Sequence, residues 1–163
     1  SKAFIVEEAS LFGITDMEEF RESRFIVDEY GYHILYERYI GGLPIKNVYV
    51  NIHLRKEEWI QSMDANVVAP TPALYQAIAK KTISKGKVRE IVRDDLKSSD
   101  SDVSVGISKA HKEAILDPPY IIWNVEARSF KTVNGQPRDW QWEFQIDAFT
   151  GEIIQKRKRP GSF

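Results

Sequence analysis

The chain contains no cysteine. Disulfides, thiolate metal centres and a cysteine nucleophile are therefore excluded. Long apolar runs are also missing, and none approaches the roughly 18 residues that a membrane-crossing helix requires. Charge of one sign is not in excess. Twenty-three Lys and Arg stand against 24 Asp and Glu, for a formal net charge of -1. No overall field therefore draws the chain to nucleic acid or to an anionic membrane. The N-terminus carries no signal-peptide pattern, which leaves either a cytoplasmic chain or one whose leader has been removed. Catalytic signatures are equally scarce. There is no Gly-x-Ser-x-Gly elbow and no His-Glu-x-x-His helix. Gly41 and Gly42 fall between two strand patterns rather than before a helix, which rules out a phosphate loop there. His33, His53 and His111 lie at no metal-ligand spacing, although the first two sit in strand patterns and can meet across a sheet. Asp94, Asp95, Asp100 and Asp102 gather in one polar stretch. Counted as a calcium loop from Asp94, it places Ser99 where glycine is needed and Val105 where glutamate is needed. No catalytic residue, metal or cofactor is expected.

What is present is material for a core. The 163 residues are 42% hydrophobic and 12% aromatic, with four Trp. That suits one domain, or two small units sharing a core. Ile5, Ala9 and Phe12 recur at helical spacing and predict a helix over residues 2–14, with a second over 16–22 capped by Asp16. From Arg24 the period changes to two. Strands are predicted at residues 25–28, 33–40, 48–55 and 59–68, separated by turns at Tyr30 and Gly31, at Gly41 and Gly42, and at Glu57 and Glu58. Ile34, Tyr36, Arg38 and Ile40 share one face of their strand. Val48, Val50, Ile52 and Leu54 share one face of the next. Thr71 and Pro72 read as the start of a helix running to about residue 85. Val88, Ile91, Val92 and Leu96 suit a further helix without requiring one. Residues 97–102 read as a polar loop. Strands return at 103–108, 120–130, 140–146 and 152–156, with a hairpin signal at Asn134 and Gly135. Trp140, Trp142, Phe144 and Ile146 line one strand face and are expected in the core. Lys156, Arg157, Lys158 and Arg159 form the one charge run, read as a solvated basic tail. The order, helix then antiparallel strands, and then the same again, gives an α+β fold of two helix-plus-antiparallel-sheet units. The break is at Pro70, which puts the units at residues 1–69 and 70–163.

Two segments resemble known families. In the first, a strand through His33, Tyr36 and Arg38 reaches a turn containing Gly42, Pro44 and Ile45, and the next strand passes through Val50 to His53. This is similar to the fungalysin/thermolysin propeptide domain. Arg38 stands where that family usually has Gln. In the second, Asp147, Ala148, Thr150, Gly151, Glu152, Ile153 and Ile154 reproduce the Asp-Ala-x-Thr-Gly-Glu-Ile-Ile ending of a PepSY domain. In this order the two resemble the pro-region of thermolysin-like zinc metalloproteases. The resemblance implies cystatin-like units, with residues 1–69 propeptide-like and 70–163 PepSY-like. It implies a non-catalytic inhibitor and intramolecular chaperone of a thermolysin-like catalytic domain, extracellular or extracytoplasmic, with no cofactor, no nucleic acid and no membrane span. Gly42, Pro44, Ile45, His53, Asp147, Ala148, Thr150 and Gly151 are then structural motif positions. Tyr36, Arg38, Gln155, Lys156, Arg157, Lys158 and Arg159 are candidate protease contacts, the last five as a substrate-like tail. The alternative is a stand-alone PepSY-type binding module with a different extracytoplasmic partner. A monomer, or a weak dimer through exposed sheet edges, is expected.

Overall fold

The computed structural model describes residues 19–56 and 59–159. It is a mixed α+β chain with eight strands and two helices among those residues. The expected helix over 2–14 and the turn at Glu57 and Glu58 lie outside the described residues. The described chain divides into two compact units. The first takes residues up to Ala79 together with Ala114–Pro119, and the second takes Lys80–Glu113 together with Tyr120 onwards.

The first unit is an antiparallel sheet of β1 (Phe20–Val27), β2 (Gly31–Ile40), β3 (Leu43–Arg55) and β4 (Ile60–Asn66), paired in that order. Strand β1 corrects the helix expected over 16–22. Phe20 is already strand, pairs with Arg38 of β2 and is buried, while the rest of β1 is exposed. The faces of β2 and β3 follow their period of two. Ile34, Tyr36 and Ile40 on β2 and Val48, Val50 and Ile52 on β3 all enter the core. Helix α1 (Pro72–Ala79) begins where Thr71 accepts a hydrogen bond from the Leu74 amide through its hydroxyl, at 3.3 Å. Leu74 is fully buried in the same core, so this helix belongs with the first unit rather than after a boundary at residue 70.

Helix α1 also stops six residues earlier than its periodicity predicts. The chain breaks at residues 80–84, and α2 (Lys85–Ser99) starts afresh with Ser84 as its N-cap. Gly86, one residue past the expected helix end, lies in the first turn of α2. The ambiguous stretch after it is helical: Val88, Val92 and Leu96 form one buried stripe. The polar loop expected from residue 97 begins only at Asp100, so Asp94 and Asp95 are helical. Asp100 and Asp102 instead turn around Lys131, whose ammonium lies 2.8 Å from Asp100 and 3.9 Å from Asp102.

The second unit carries the sheet β5 (Ser104–Leu116), β6 (Pro119–Val133), β7 (Gln136–Asp147) and β8 (Ile153–Arg159). The last residues of β5 fall in the first unit, where Ala114 bridges to Ile45. Asn134 and Gly135, both at positive φ, make the two-residue turn between β6 and β7. Ile121, Trp123, Val125 and Ala127 are buried, as their alternation predicts, and so are Phe144 and Ile146. Trp140 and Trp142 are only half-buried. They are covered by lysines from β8 rather than by core. The solvated tail is thereby corrected too: residues 156–159 are strand, paired residue by residue with β7.

Candidate functional site

On the outer face of the first sheet, His33 of β2 lies directly opposite His53 of β3. Side chains alternate faces, so the pair points away from Ile34 and Ile52 and keeps contact with water. The two side chains are 28% and 30% exposed. Their Nδ1 atoms are 2.5 Å apart and the rings meet edge to face. One of two facing ring nitrogens must donate and the other accept. The outer nitrogens settle which. His33 Nε2 lies 2.9 Å from the Asp28 carboxylate and donates to it, leaving its Nδ1 as acceptor. His53 Nε2 accepts from the Asn51 amide at 3.0 Å, leaving its Nδ1–H as donor. Asp64 of β4 stands 3.7 Å from His53 Nε2 and also accepts from Asn51.

Asp28 is held by the turn between β1 and β2. The Tyr30 amide, with help from the Gly31 amide and His33, keeps its carboxyl below the usual value of 3.8 against partial desolvation. Beside the pair opens a shallow pocket of about 560 Å³, lined by Glu29, Tyr30, Arg55, Lys56, Gln61 and Ser62 as well as both histidines. Sequence reading named His53 for its motif and both histidines for their strands. Asp28, Asn51 and Asp64 were missed, because nothing local marks them and only strand register assembles them.

The other motif residues lie in turns and in the core. Gly42 has φ 79° in the turn between β2 and β3, Pro44 pairs with Tyr39, and Ile45 is core. In the second unit, Asp147 closes the turn after β7 by accepting from the Phe149 and Thr150 amides at 2.8 and 2.7 Å. Buried Ala148 donates to the Ile121 carbonyl and accepts from the Ile83 amide, so it ties the turn to β6 and to the start of α2. The Thr150 hydroxyl accepts from the Glu152 amide. Gly151 has φ 81°, and an added Cβ would come within 2.9 Å of Ile91.

Burial raises the Asp147 carboxyl, but the Thr150 and Phe149 hydrogen bonds outweigh it and hold the group below 3.8. A carboxyl held low in the folded chain stabilises it when ionised. That contribution is complete above the ordinary carboxylate range and is lost as pH falls below about 3.8 and through the folded value. Asp147→Asn is therefore expected to lower the unfolding midpoint at pH 7, with the gap to the parent chain narrowing as pH falls below about 3.8. Thermal melts of both across pH 3–7 check this, and parallel curves would refute it.

Tyr36 and Arg38, expected as protease contacts, are buried at 5% and 4% exposure. They point to the core face of β2, as their alternation with His33 dictates. Arg38 pairs with Glu19 at 2.7 Å and donates to the Val68 carbonyl at 3.0 Å. Gln155, Lys156, Arg157, Lys158 and Arg159 form the edge strand β8. Lys156 lies 5.0 Å over the Trp142 ring and pairs with Asp95 of α2 at 2.5 Å. Lys158 lies 5.1 Å over Trp140, and Arg159 pairs with Glu143. Each such cation–π contact stabilises by about 0.5–1 kcal/mol, which adds to the backbone pairing of β8 with β7. No group of three or more His, Asp or Glu side chains able to hold a metal occurs among the described residues. No helix among them is long and apolar enough to cross a membrane.

No protein-family model matches the chain. Two curated relatives do, both bacillolysins. One is from Bacillus subtilis strain 168 and the other from Bacillus subtilis subsp. amylosacchariticus. Each is 25% identical over 171 aligned positions that cover 97% of this chain. The chain spans only 30% of the length of either. Among solved structures, the Bacillus megaterium YpeB C-terminal domain aligns over 99% of this chain and 66% of its own, with a TM-score of 0.42 and 15% identity.

Proposed function

We propose that this chain acts as the pro-region of a thermolysin-like zinc metalloprotease, a non-catalytic inhibitor and folding assistant working outside the cytoplasm. The observation that carries the proposal is the extent of the bacillolysin similarity: nearly the whole of this chain against less than a third of a protease. A segment of that share that lacks the His-Glu-x-x-His helix suits a part of the precursor other than its catalytic part. The propeptide-like and PepSY-like motifs, in that order along the chain, support the same reading.

The structure changes how docking is best drawn. Residues 155–159 are held in a sheet, so a free substrate-like tail cannot begin there. Among the described residues no strand pairs with the outer edge of β8, which carries Arg157 and Lys158 and offers a surface on which a protease strand or an acidic loop can add. Buried Tyr36 and Arg38 drop out of the contact surface. The cystatin-like character of each unit is part of this proposal.

The test is a set of progress curves for a thermolysin-like protease with increasing amounts of the chain, beside a serine protease. Saturable inhibition of the metalloprotease alone is expected, together with a higher yield when its denatured catalytic domain refolds with the chain present. Equal effects on both proteases, or rapid digestion of the chain without inhibition, would turn the reading to a stand-alone binding module.

A further inference from the structure

We propose that His33 and His53 form a divalent transition-metal site on the outer face of the first sheet, selective for ions that favour imidazole, such as Zn²⁺. This rests on the geometry of the first unit and is independent of the protease reading.

Three observations carry it. First, the two Nδ1 atoms converge on one point from adjacent strands, directly opposite in register. At present a single proton lies between them. The His53 Nδ1–H faces the His33 Nδ1 lone pair, and once that proton moves to the outer nitrogen both lone pairs face the point an ion would occupy. Second, the outer nitrogen of each ring faces a carboxylate, Asp28 on one side and Asp64 on the other. Metal-bound histidines commonly donate their second N–H to a carboxylate, which fixes the ring and raises its basicity. Third, the pair is part-buried beside an open polar pocket, so water can fill the remaining coordination positions.

The required movement is small. Zn–N distances of about 2.0–2.1 Å and a tetrahedral angle put two ligating nitrogens about 3.3 Å apart. The present separation is 2.5 Å, so the two nitrogens must part by about 0.8 Å to take an ion between them. Protons balance without any release. His53 shifts its proton from Nδ1 to Nε2, where Asp64 and a rotated Asn51 amide accept it. His33 already carries its proton on Nε2, bonded to Asp28. Both Nδ1 lone pairs are then free for the ion. Only two protein ligands bind directly, and water fills the remaining positions.

The test titrates Zn²⁺ into the full chain by calorimetry. One saturable equivalent is expected. Affinity should fall at least about tenfold in His33→Gln and in His53→Gln, and about 10–100-fold in Asp28→Asn, while His111→Gln binds as the parent does. Undiminished binding in the double variant His33→Gln/His53→Gln, or no saturable binding by the parent, would overturn the proposal. Should a variant fail to fold, ring ¹⁵N spectra of the parent chain decide. Zn²⁺ must move the Nδ1 signals of His33 and His53 to the metal-bound range and leave His111 in place. Unmoved signals at the pair would equally overturn it.

Discussion

Gly31→Ala should lower the thermal midpoint of the chain by about 10 °C. Gly31 is the first residue of β2, buried, with φ at +152°. A Cβ built there would sit 1.9 Å from the Leu54 carbonyl oxygen and 3.1 Å from the Arg55 Cα. Both are backbone atoms of the paired strand, so no side-chain rotation relieves the clash. Strain at a glycine-only φ costs about 1–3 kcal/mol, and forced displacement of packed neighbours about 1–3 more. The sum, about 4 kcal/mol, is a large part of the stability of a domain this size. Gly42→Ala is the matched control. It also has positive φ, at 79°, but nothing lies within 4 Å of its added Cβ, so it should cost only the backbone term. Calorimetric melts of the three chains would decide. Equal losses in both variants would show that the close approach of β3 is not the cause.

Arg38→Ala is expected to cost about 3–5 kcal/mol. Arg38 is 4% exposed on the core face of β2, between Phe20, Glu19 and the Val68 carbonyl. Removing it leaves the Glu19 carboxylate, 21% exposed, without its cation and leaves the Val68 carbonyl without its donor. Breaking a buried pair on one side is costly for that reason, more than the pair itself contributes. Gln is the neutral substitution closest in reach. Gln can still donate to a carbonyl but leaves Glu19 charged, so Arg38→Gln should also destabilise. Adding Glu19→Gln should recover about 1–3 kcal/mol in a double-mutant cycle. Additive losses would show that the two side chains are not coupled. Chemical unfolding of the four chains measures this directly.

The sequence by itself located most strands and turns and the buried face of β2 and β3, though not the start of β1 or the second half of β5. A period of two placed Ile34, Tyr36, Val50 and Ile52 in the core, because a sheet with one covered face accepts no other arrangement. It also placed Arg38 on that buried face, although the same residue was read as a partner contact. Chemical type suggested the surface where alternation required the core. Helix ends were less legible. The break between α1 and α2 comes at Ser84, whose hydroxyl caps a new helix, while the apolar spacing runs on across it.

Tertiary structure alone decided what faces what. The two-residue turn after Ile40 pairs Ile40 with Leu43 and Tyr39 with Pro44, and continuing that register would set His33 against Val50. The irregularity between Glu37 and Tyr39 adds three residues to β3, so that Glu37 meets Tyr49 and His33 meets His53. An odd shift exchanges the faces, which is how two histidines come together on the wet side while the aliphatic stripe stays in the core. The basic run shows the same limit. Lys156 and Lys158 read as a tail because four successive cations carry no packing signal of their own. They become strand because β7 presents Trp140, Trp142 and Phe144 at the matching register, and only the folded chain brings those rings beneath them.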